Sequence, residues 1–341
     1  MTTHLADASD LPATLVQATM SLQSHDLRPS ASSTAIAVHV GETFRQQMTP
    51  KLGWGVSKVP LTAAGDVTAW PGAFGIRRDD NRAALGVVGV QYKPLQNLEV
   101  GDALDAAFGH LPASFRPRLV NAGALSRGSK VFAQFALPEE VSRLLRVPAD
   151  RDSRTDAYLT LTNTHDGSTA AVLGSTAVRI VCLNTFRLAN AKARVGGLVL
   201  KHMTKNVDGF RKSAETWLKE TAAGYAMTGE MLRSFSARPM GVNAVKAAVN
   251  AILTPDAVEP GDRTRPQQAA VDAVIEMIEG RNGQFVPVGE VTAYSVLQSV
   301  TAYALHRKPA RGELSAQTET RTWRVLTGDD TITTAFAVLS V

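Results

Sequence analysis

Short apolar runs separated by turn residues fill the first half of the chain. Residues 73–77 and 84–92 are rich in apolar side chains, and the polar residues 79–81 lie between them. This arrangement is typical of a β-hairpin, in which a short polar turn joins two strands. The same pattern predicts further strands over residues 118–125, 130–137, 157–162, 168–174 and 177–183.

Apolar residues recur at intervals of three and four in the second half of the chain, which is the spacing of one helix face. Residues 95–108 show the same spacing earlier in the sequence. Asn184 is predicted to cap a helix over residues 185–193, and a long helical region is predicted from residue 204 onward. Further helices are predicted over residues 229–235, 241–253, 265–279 and 290–306.

Strands therefore come first along the chain and helices last, which favours an α+β fold over an alternating, doubly wound sheet. We predict an antiparallel, hairpin-rich front sheet packed with helices, followed by a mostly helical C-terminal portion. The predicted divisions are a mobile N-terminal arm over residues 1–33, a basic α+β core domain over 34–235, and a mostly helical region over 236–341.

Composition places the protein inside the cell. A chain of 341 residues that is 44% hydrophobic can bury a sizeable core. Its single cysteine, Cys182, can form neither an internal disulfide nor a multi-cysteine zinc site. The sequence shows no bilayer-spanning apolar run and no secretion signal. We therefore expect a cytoplasmic protein without a membrane partner.

Positive charge is concentrated in the middle of the sequence. The net charge is +5 at pH 7, yet residues 179–219 alone carry nine basic and two acidic residues. Polyanions are attracted to such a surface, and single-stranded nucleic acid also needs flat side chains against its bases. The predicted phosphate contacts are Arg77, Arg78, Arg82, Arg127, Lys130, Arg179, Arg187, Lys192, Arg194, Lys201, His202 and Lys205. The aromatic residues predicted to contact bases are Phe74, Tyr92 and Phe186.

No motif requires an enzyme. Residues 123–130 nearly match the spacing of a phosphate-binding loop, but they lie between predicted strands and reverse the order of Lys and Ser. His165 and Asp166 are adjacent at a predicted hairpin tip, where a turn and a functional role both remain open. We expect no cofactor and no resident metal. The alternative is a metal-dependent enzyme acting on nucleic acid, with a divalent ion held by His165, Asp166, Asp156 and His202.

Several longer strings resemble a known family. In order, they are residues 85–97 (LGVVGVQYKPLQN), 158–168 (YLTLTNTHDGS), 178–185 (VRIVCLNT) and 201–204 (KHMT). Together they resemble the phage- and plasmid-related family catalogued as domain of unknown function 932, over about residues 54–219. Residues 291–294 and His306 resemble the C-terminal portion of that family.

This resemblance implies a setting in mobile DNA rather than a particular chemistry. The hairpin and helix of the front portion also resemble, in architecture and charge only, single-strand annealing proteins of the RecT/Redβ type. Those proteins are oligomeric and hold DNA in a basic groove. We therefore expect an ATP-independent protein that binds single-stranded DNA and anneals it as a ring or filament of identical chains. A protein-binding module that counters a host defence is a further alternative.

Overall fold

A computed structural model provides the fold. It describes residues 42–62, 68–109, 116–148, 155–179, 184–187, 197–200, 207–256, 260–280, 290–310 and 312–341. Within these ranges only the backbone is described for residues 179, 184–187, 197–198, 200, 207–216, 218–220 and 260. The predicted N-terminal arm, residues 1–33, lies outside the described residues. Among the helices in this part of the chain, none is both long and apolar enough to cross a membrane.

A three-stranded antiparallel sheet contains the predicted hairpin. Its strands, in spatial order, are β1 (Val56–Thr62), β2 (Ala69–Arg78) and β3 (Ala84–Gly89). The hairpin prediction is confirmed, because β2 pairs with β3 across the turn after Arg78. Strand β1 was not predicted: it contains Pro60, which cannot donate to a ladder and is tolerated only at a sheet edge.

A six-stranded sheet follows. Strands β4 to β8 lie side by side in chain order, and β9 pairs with β7; their bounds are Arg118–Leu125, Lys130–Ala136, Thr155–Thr164, Ala171–Arg179, Asn184–Arg187 and Gly197–Leu200. The predicted helix starting at Asn184 is wrong at its beginning, because Thr185 pairs with Val178 and Phe186 with Ala177 in an antiparallel ladder. The β-branched and aromatic side chains there suit a strand better than a first helical turn.

Helices dominate the C-terminal portion, as predicted, and the fold class is α+β. In chain order the helices are α1 (Phe44–Leu52), α2 (Asn97–Phe108), α3 (Glu139–Arg143), α4 (Val207–Ser236), α5 (Val242–Leu253), α6 (Arg265–Ile278), α7 (Ala293–Ala302), α8 (Leu314–Thr327) and α9 (Asp330–Leu339). A π-helical turn over Tyr303–Arg307 follows α7 directly. The helix predicted over residues 229–235 is the end of α4, a single helix of 30 residues.

Two compact units make up the chain, and their segments alternate along the sequence. The first unit contains residues 1–138, 158–174 and 197–218; the second contains 139–157, 175–196 and 219–341. The prediction from sequence was a linear division after residue 235.

The core of the first unit lies between helices and the six-stranded sheet. The Phe44 ring on α1 meets the rings of Phe108 on α2 and Phe135 on β5 edge to face, at centroid distances of 5.8 and 5.2 Å. Asp105 of α2 accepts the backbone N–H of Phe44 at 2.7 Å, which anchors the first turn of α1. Leu104, Leu119 and the other members of this cluster are buried.

The second unit is built around α7. All ten residues of that helix are buried, although Gln298, Ser299 and Thr301 are polar. Helices α5, α6 and α9 and strand β8 pack against α7. Because no face of α7 reaches solvent, we interpret it as the central support of this unit.

Candidate nucleic-acid interface

Two basic turns of the first unit are joined by Arg78. One is the turn between β2 and β3, and the other is the turn over Ser126–Gly128 between β4 and β5. The backbone N–H of Arg78 donates to the carbonyl of Ala83 at 2.9 Å, and its Nη1 donates to the carbonyl of Arg127 at 3.3 Å. The bond between Arg78 and Arg127 joins residues 49 positions apart, so the structure brings together two predicted basic segments that are distant in sequence.

Both turns hold an exposed arginine in a left-handed backbone conformation. Arg82 and Arg127 each have a φ of 60°, and Ser126 has a φ of 49°. An L-residue pays about 1 kcal/mol for this conformation, which glycine adopts without steric cost. The turn over Ser126–Gly128 lies between β4 and β5, so residues 123–130 do not form a phosphate-binding loop leading into a helix. The tips of the turns therefore carry cations where a glycine would be easier to accommodate.

Arg78 itself is accounted for by contacts within the protein. Its guanidinium lies 4.0 Å from the ring centroid of Trp54, and it binds both carboxylate oxygens of Asp80, at 2.9 and 2.5 Å. The hydrogen bond from Arg78 holds the pKa of the Asp80 carboxyl below its usual value. The side chain of Arg78 is only 15% exposed. These contacts hold Arg78 within the fold, and its predicted phosphate contact stays a prediction.

Arg77 and Lys130 are the two other predicted phosphate contacts next to these turns. Arg77 pairs in register with Ser57, so it points to the opposite face of the sheet from Arg78. Lys130 begins β5, opposite Thr164 of β6. Both side chains are half-buried. With Arg82 and Arg127 they form the group that we call the basic turns: Arg77, Arg82, Arg127 and Lys130.

The two described aromatic candidates also have partners within the protein. Burial, with a smaller contribution from Asp166, raises the pKa of Tyr92, whose hydroxyl donates to the carbonyl of Thr164 at 3.1 Å. The ring of Phe74 lies 4.3 Å from the ammonium of Lys58. The Tyr92 hydroxyl is thus bound within the protein, and the ring of Phe74 is covered on the side where Lys58 lies. The base contacts predicted for both residues stay predictions. Phe186 belongs to β8, where only the backbone is described.

Trp70 is an exposed aromatic that sequence reasoning missed. It lies in β2, the strand that ends in Arg77 and Arg78, and is 60% exposed. The following residues, Pro71 and Gly72, look like a turn in the sequence and hide the strand. A tryptophan beside Pro-Gly, seven residues before Arg77, was the available signal.

The remaining predicted phosphate contacts belong to the central basic segment. Arg179 ends β7 and Arg187 ends β8, and only their backbones are described. Lys192, Arg194, Lys201, His202 and Lys205 lie outside the described residues. Their predicted role stays a prediction.

His165 lies in a buried polar joint rather than at the surface. Its Nε2 is 2.9 Å from Oδ1 of Asn97, its ring meets Trp54 edge to face at 5.6 Å, and none of its area is exposed. The next residue, Asp166, accepts the backbone N–H of Ser168 at 2.9 Å, and Gly167 has a φ of 79°. Asp166 and Gly167 thus form the tight turn that their sequence indicates.

Two of the four residues suggested above as metal ligands lie far apart along one strand. Asp156 lies near the start of β6 and His165 directly after its end, which places about 27 Å of extended strand between them. A metal ion with ligands at 2 to 3 Å cannot bridge that length. Among the residues that the structure describes, no three His, Cys, Asp or Glu side chains are grouped as metal ligands. His202 lies outside them.

The strings that indicated the family meet at this joint. The amide of Asn163 donates to the carbonyl of Leu95 at 3.3 Å, beside the bonds from Tyr92 to Thr164 and between Asn97 and His165. A Cβ added to Gly86 would lie 2.6 Å from the Cα of Asp166. Strand β3 and the turn at Asp166 therefore approach as closely as glycine permits. Residues 85–97 and 158–168 therefore pack on one another.

A comparison with family models agrees with the resemblance. The model described as Domain of unknown function (DUF932) matches residues 84–326, well over half of the chain. That range includes both strings of the buried joint, two of the four cations of the basic turns (Arg127 and Lys130) and most of the second unit. No curated protein and no solved structure matches the chain.

Proposed function

The chain belongs to the DUF932 family, a domain of unknown function, and from this premise we propose that it binds single-stranded DNA and anneals complementary strands without ATP. The proposal extends to a setting in phage or plasmid recombination, which the resemblance to phage- and plasmid-related proteins favours. The observation that supports it most is the pair of exposed arginines held in left-handed turns that Arg78 joins.

Electrostatics around these turns favour an anionic ligand. The nearby acids have partners of their own: Asp80 binds Arg78, and Asp79 accepts the hydroxyl of Ser57 at 2.5 Å. Among the residues that the structure describes, no ion pair is formed by Arg82 or Arg127. Their charge is therefore available to phosphates, which bind arginine through paired hydrogen bonds.

Annealing requires no covalent catalyst. Base pairing supplies the free energy, and the protein needs only to neutralise two backbones while leaving the base edges accessible. An oligomer brings two strands together more readily than a single chain, which agrees with the looser resemblance to single-strand annealing proteins of the RecT/Redβ type.

The test is fluorescence anisotropy with a labelled oligothymidylate at low salt. The double variant Arg82→Ala, Arg127→Ala is expected to bind about tenfold more weakly or worse, because two charge-assisted phosphate contacts are removed. Lys246→Ala, which removes an exposed cation from α5 in the second unit, is the matched control and is expected to bind like the parent. Equal affinities of the parent and the double variant would contradict the proposal.

A further inference from the structure

Strand β4 forms one edge of the six-stranded sheet. It pairs with β5 on one side, and among the described residues no strand pairs with its other side. From Leu119 to Leu125 this edge carries neither a charge nor a proline, two of the devices that keep other chains from pairing with an open sheet edge. The sequence of β4 is therefore suited to pairing with a further strand.

The described chain begins beside this edge. The carboxamide of Gln47, on α1, donates to the carbonyl of Glu42 at 2.9 Å and accepts the backbone N–H of Leu119 at 3.4 Å. Because this N–H reaches a helix side chain, it is turned away from β5 and toward the unpaired side of β4. One side chain therefore links Glu42 to the start of β4, and the two backbones lie less than two strand spacings, about 10 Å, apart.

The residues before Glu42 have the sequence pattern of a strand. Residues 34–40 read TAIAVHV, and every second residue from Thr34 to Val40 is β-branched. This alternation is typical of a strand that lays one face on a core, and the segment contains neither glycine nor proline. It starts directly after residue 33, where the predicted N-terminal arm ends.

The direction and the length of this segment both fit β4. Only Gly41 separates it from Glu42, so its end lies near the start of β4 and its course beside that strand is antiparallel. Seven extended residues span about 24 Å, and the eight residues of β4 span about 27 Å. The register shift between Leu119 and Asn121 affects only the beginning of β4. The segment is therefore long enough to cover nearly the whole edge.

A segment of the same chain fits this edge better than a second copy of the chain does. All eight residues of β4 are buried or half-buried, and none is exposed. Pairing with a second copy requires an edge that another molecule can approach from solvent. A segment joined to Glu42 through a single residue is instead held beside β4 at a high effective concentration.

We propose that residues 34–40 pair with β4 as an antiparallel strand of the same chain and close this edge of the sheet. The inference does not depend on the proposed DNA binding. It assigns the segment to the first unit through a defined partner. It also excludes β4 as a surface through which copies of the chain associate.

The experiment measures hydrogen exchange of the full-length protein by mass spectrometry, with the variants Ala37→Pro and Val38→Pro. Neighbouring residues of a strand direct their N–H groups to opposite sides, so one of the two prolines removes a bond to β4. In that variant the amides of β4 that do not bond to β5 are expected to exchange at least about tenfold faster than in the wild type.

Two controls accompany this measurement. Ala31→Pro, the same substitution six residues earlier in the predicted arm, is expected to exchange like the wild type. The amides of β6, which lies beyond β5 in the sheet, should keep their protection in every variant and so report an intact fold.

Three results would overturn the inference. The first is unchanged exchange of β4 in both Ala37→Pro and Val38→Pro. The second is fast exchange of the same amides in the wild type, which would show an open edge. The third is protection of β4 that is lost on dilution together with a dimer detected by light scattering, which would assign the edge to a second copy. None of these results bears on DNA binding, which the anisotropy measurements test separately.

Discussion

Lys58 organises the segment that follows β3. Its ammonium donates to the carbonyls of Gly89, Val90 and Tyr92, at 2.9, 2.7 and 3.0 Å, and lies over the Phe74 ring. All three N–H bonds of the ammonium thus have acceptors in one short stretch of chain. Lys58 therefore holds the middle of the string 85–97, which packs on the buried joint.

Replacing Lys58 by methionine tests this role. Lys58→Met is expected to lower the free energy of unfolding by about 1–3 kcal/mol, because three carbonyls lose a charged donor. Lys93→Met, which changes an exposed lysine nearby, should cost little. Urea denaturation measures both, and equal stabilities of the two variants would show that the Lys58 bonds do not stabilise this segment.

Replacing either arginine of left-handed conformation by glycine is expected to raise stability and weaken DNA binding. Arg82→Gly and Arg127→Gly are each expected to stabilise the fold by up to about 1 kcal/mol, because glycine adopts a positive φ without strain. Each should weaken DNA binding, since a phosphate contact is removed. Thermal unfolding and anisotropy on the same samples provide the measurement. Variants that are both less stable and unchanged in binding would refute this interpretation of the strain.

At this scale the sequence identified which turns are basic but not what each arginine does. Arg78 and Arg77 are neighbours in sequence, and only pairing across the sheet separates the one stacked on Trp54 from the one on the opposite face. Arg127 could be placed in a turn from the sequence, because Ser126, Gly128 and Ser129 are typical turn residues. The contact from Arg78 to the Arg127 carbonyl depends on two distant turns meeting, which no local pattern contains.

Helix α4 illustrates packing between elements of the second unit. A Cβ added to Gly229 would lie 1.8 Å from the carbonyl oxygen of Leu144, which also accepts Nη1 of Arg233 at 2.9 Å. The helix therefore approaches the segment after α3 as closely as a backbone without a side chain allows. Glycine inside a helix usually lowers stability, so we attribute Gly229 to its close contact with the carbonyl of Leu144.

Gly229→Ala is expected to reverse the normal preference for alanine in helices. Alanine would gain about 1 kcal/mol of helix propensity, but the clash with Leu144 should destabilise the protein by more than about 2 kcal/mol overall. Gly261→Ala is the matched control, because an added Cβ there would meet no atom within 4 Å. Chemical denaturation compares the two, and a stabilised Gly229→Ala would refute the close approach.

Elements with strong local patterns were predicted well, and those that depend on partners were not. The hairpin of β2 and β3 and the pair β4 and β5 are evident from alternating runs and polar turns. Strand β8 has only four residues, and its ladder with β7 decides its conformation against a plausible helix cap at Asn184. The formation of β1 likewise depends on its pairing with β2, because Lys58 and Pro60 interrupt its run of apolar residues.

Acid stability of the whole molecule should depend on Asp329. This carboxylate caps α9 by accepting the N–H of Thr331 and binds the ammonium of Lys308 through both oxygens, at 3.0 Å each. Burial alone would raise the pKa of Asp329, but the bonds from Thr331 and Lys308 outweigh it and lower the pKa below 3.8. A lowered pKa means that the stabilisation is present above about pH 4 and is lost as the pH falls through the folded-state value.

Asp329→Asn is therefore expected to lose stability mainly at neutral pH. The difference in unfolding free energy from the parent should be largest near pH 6 and should shrink toward pH 3, because below about pH 4 the unfolded chain binds a proton at this carboxyl that the folded state resists. Asp330→Asn, at the exposed neighbouring position, is the control. Urea denaturation at both pH values gives the comparison, and a difference independent of pH would show that ionisation of Asp329 does not contribute.

At the scale of the whole molecule, the fold class followed from the order of the patterns, whereas the grouping of segments did not. The two compact units alternate along the chain because β6, β7 and α4 each run from one unit into the other. A change of composition marks a boundary in sequence, not a set of tertiary contacts. For the same reason the side of β2 that meets the core could not be predicted from the sequence.

The central claim is that the basic turns bind the phosphates of single-stranded DNA. The most direct measurement is the affinity of the wild-type protein for oligothymidylate across a range of salt concentrations, with the mass of the complex from light scattering. Neutralising phosphates with Arg77, Arg82, Arg127 and Lys130 predicts a slope of log affinity against log salt of about −3 or steeper, from roughly 0.7 per phosphate. No binding at low salt, or binding that does not depend on salt, would contradict the account.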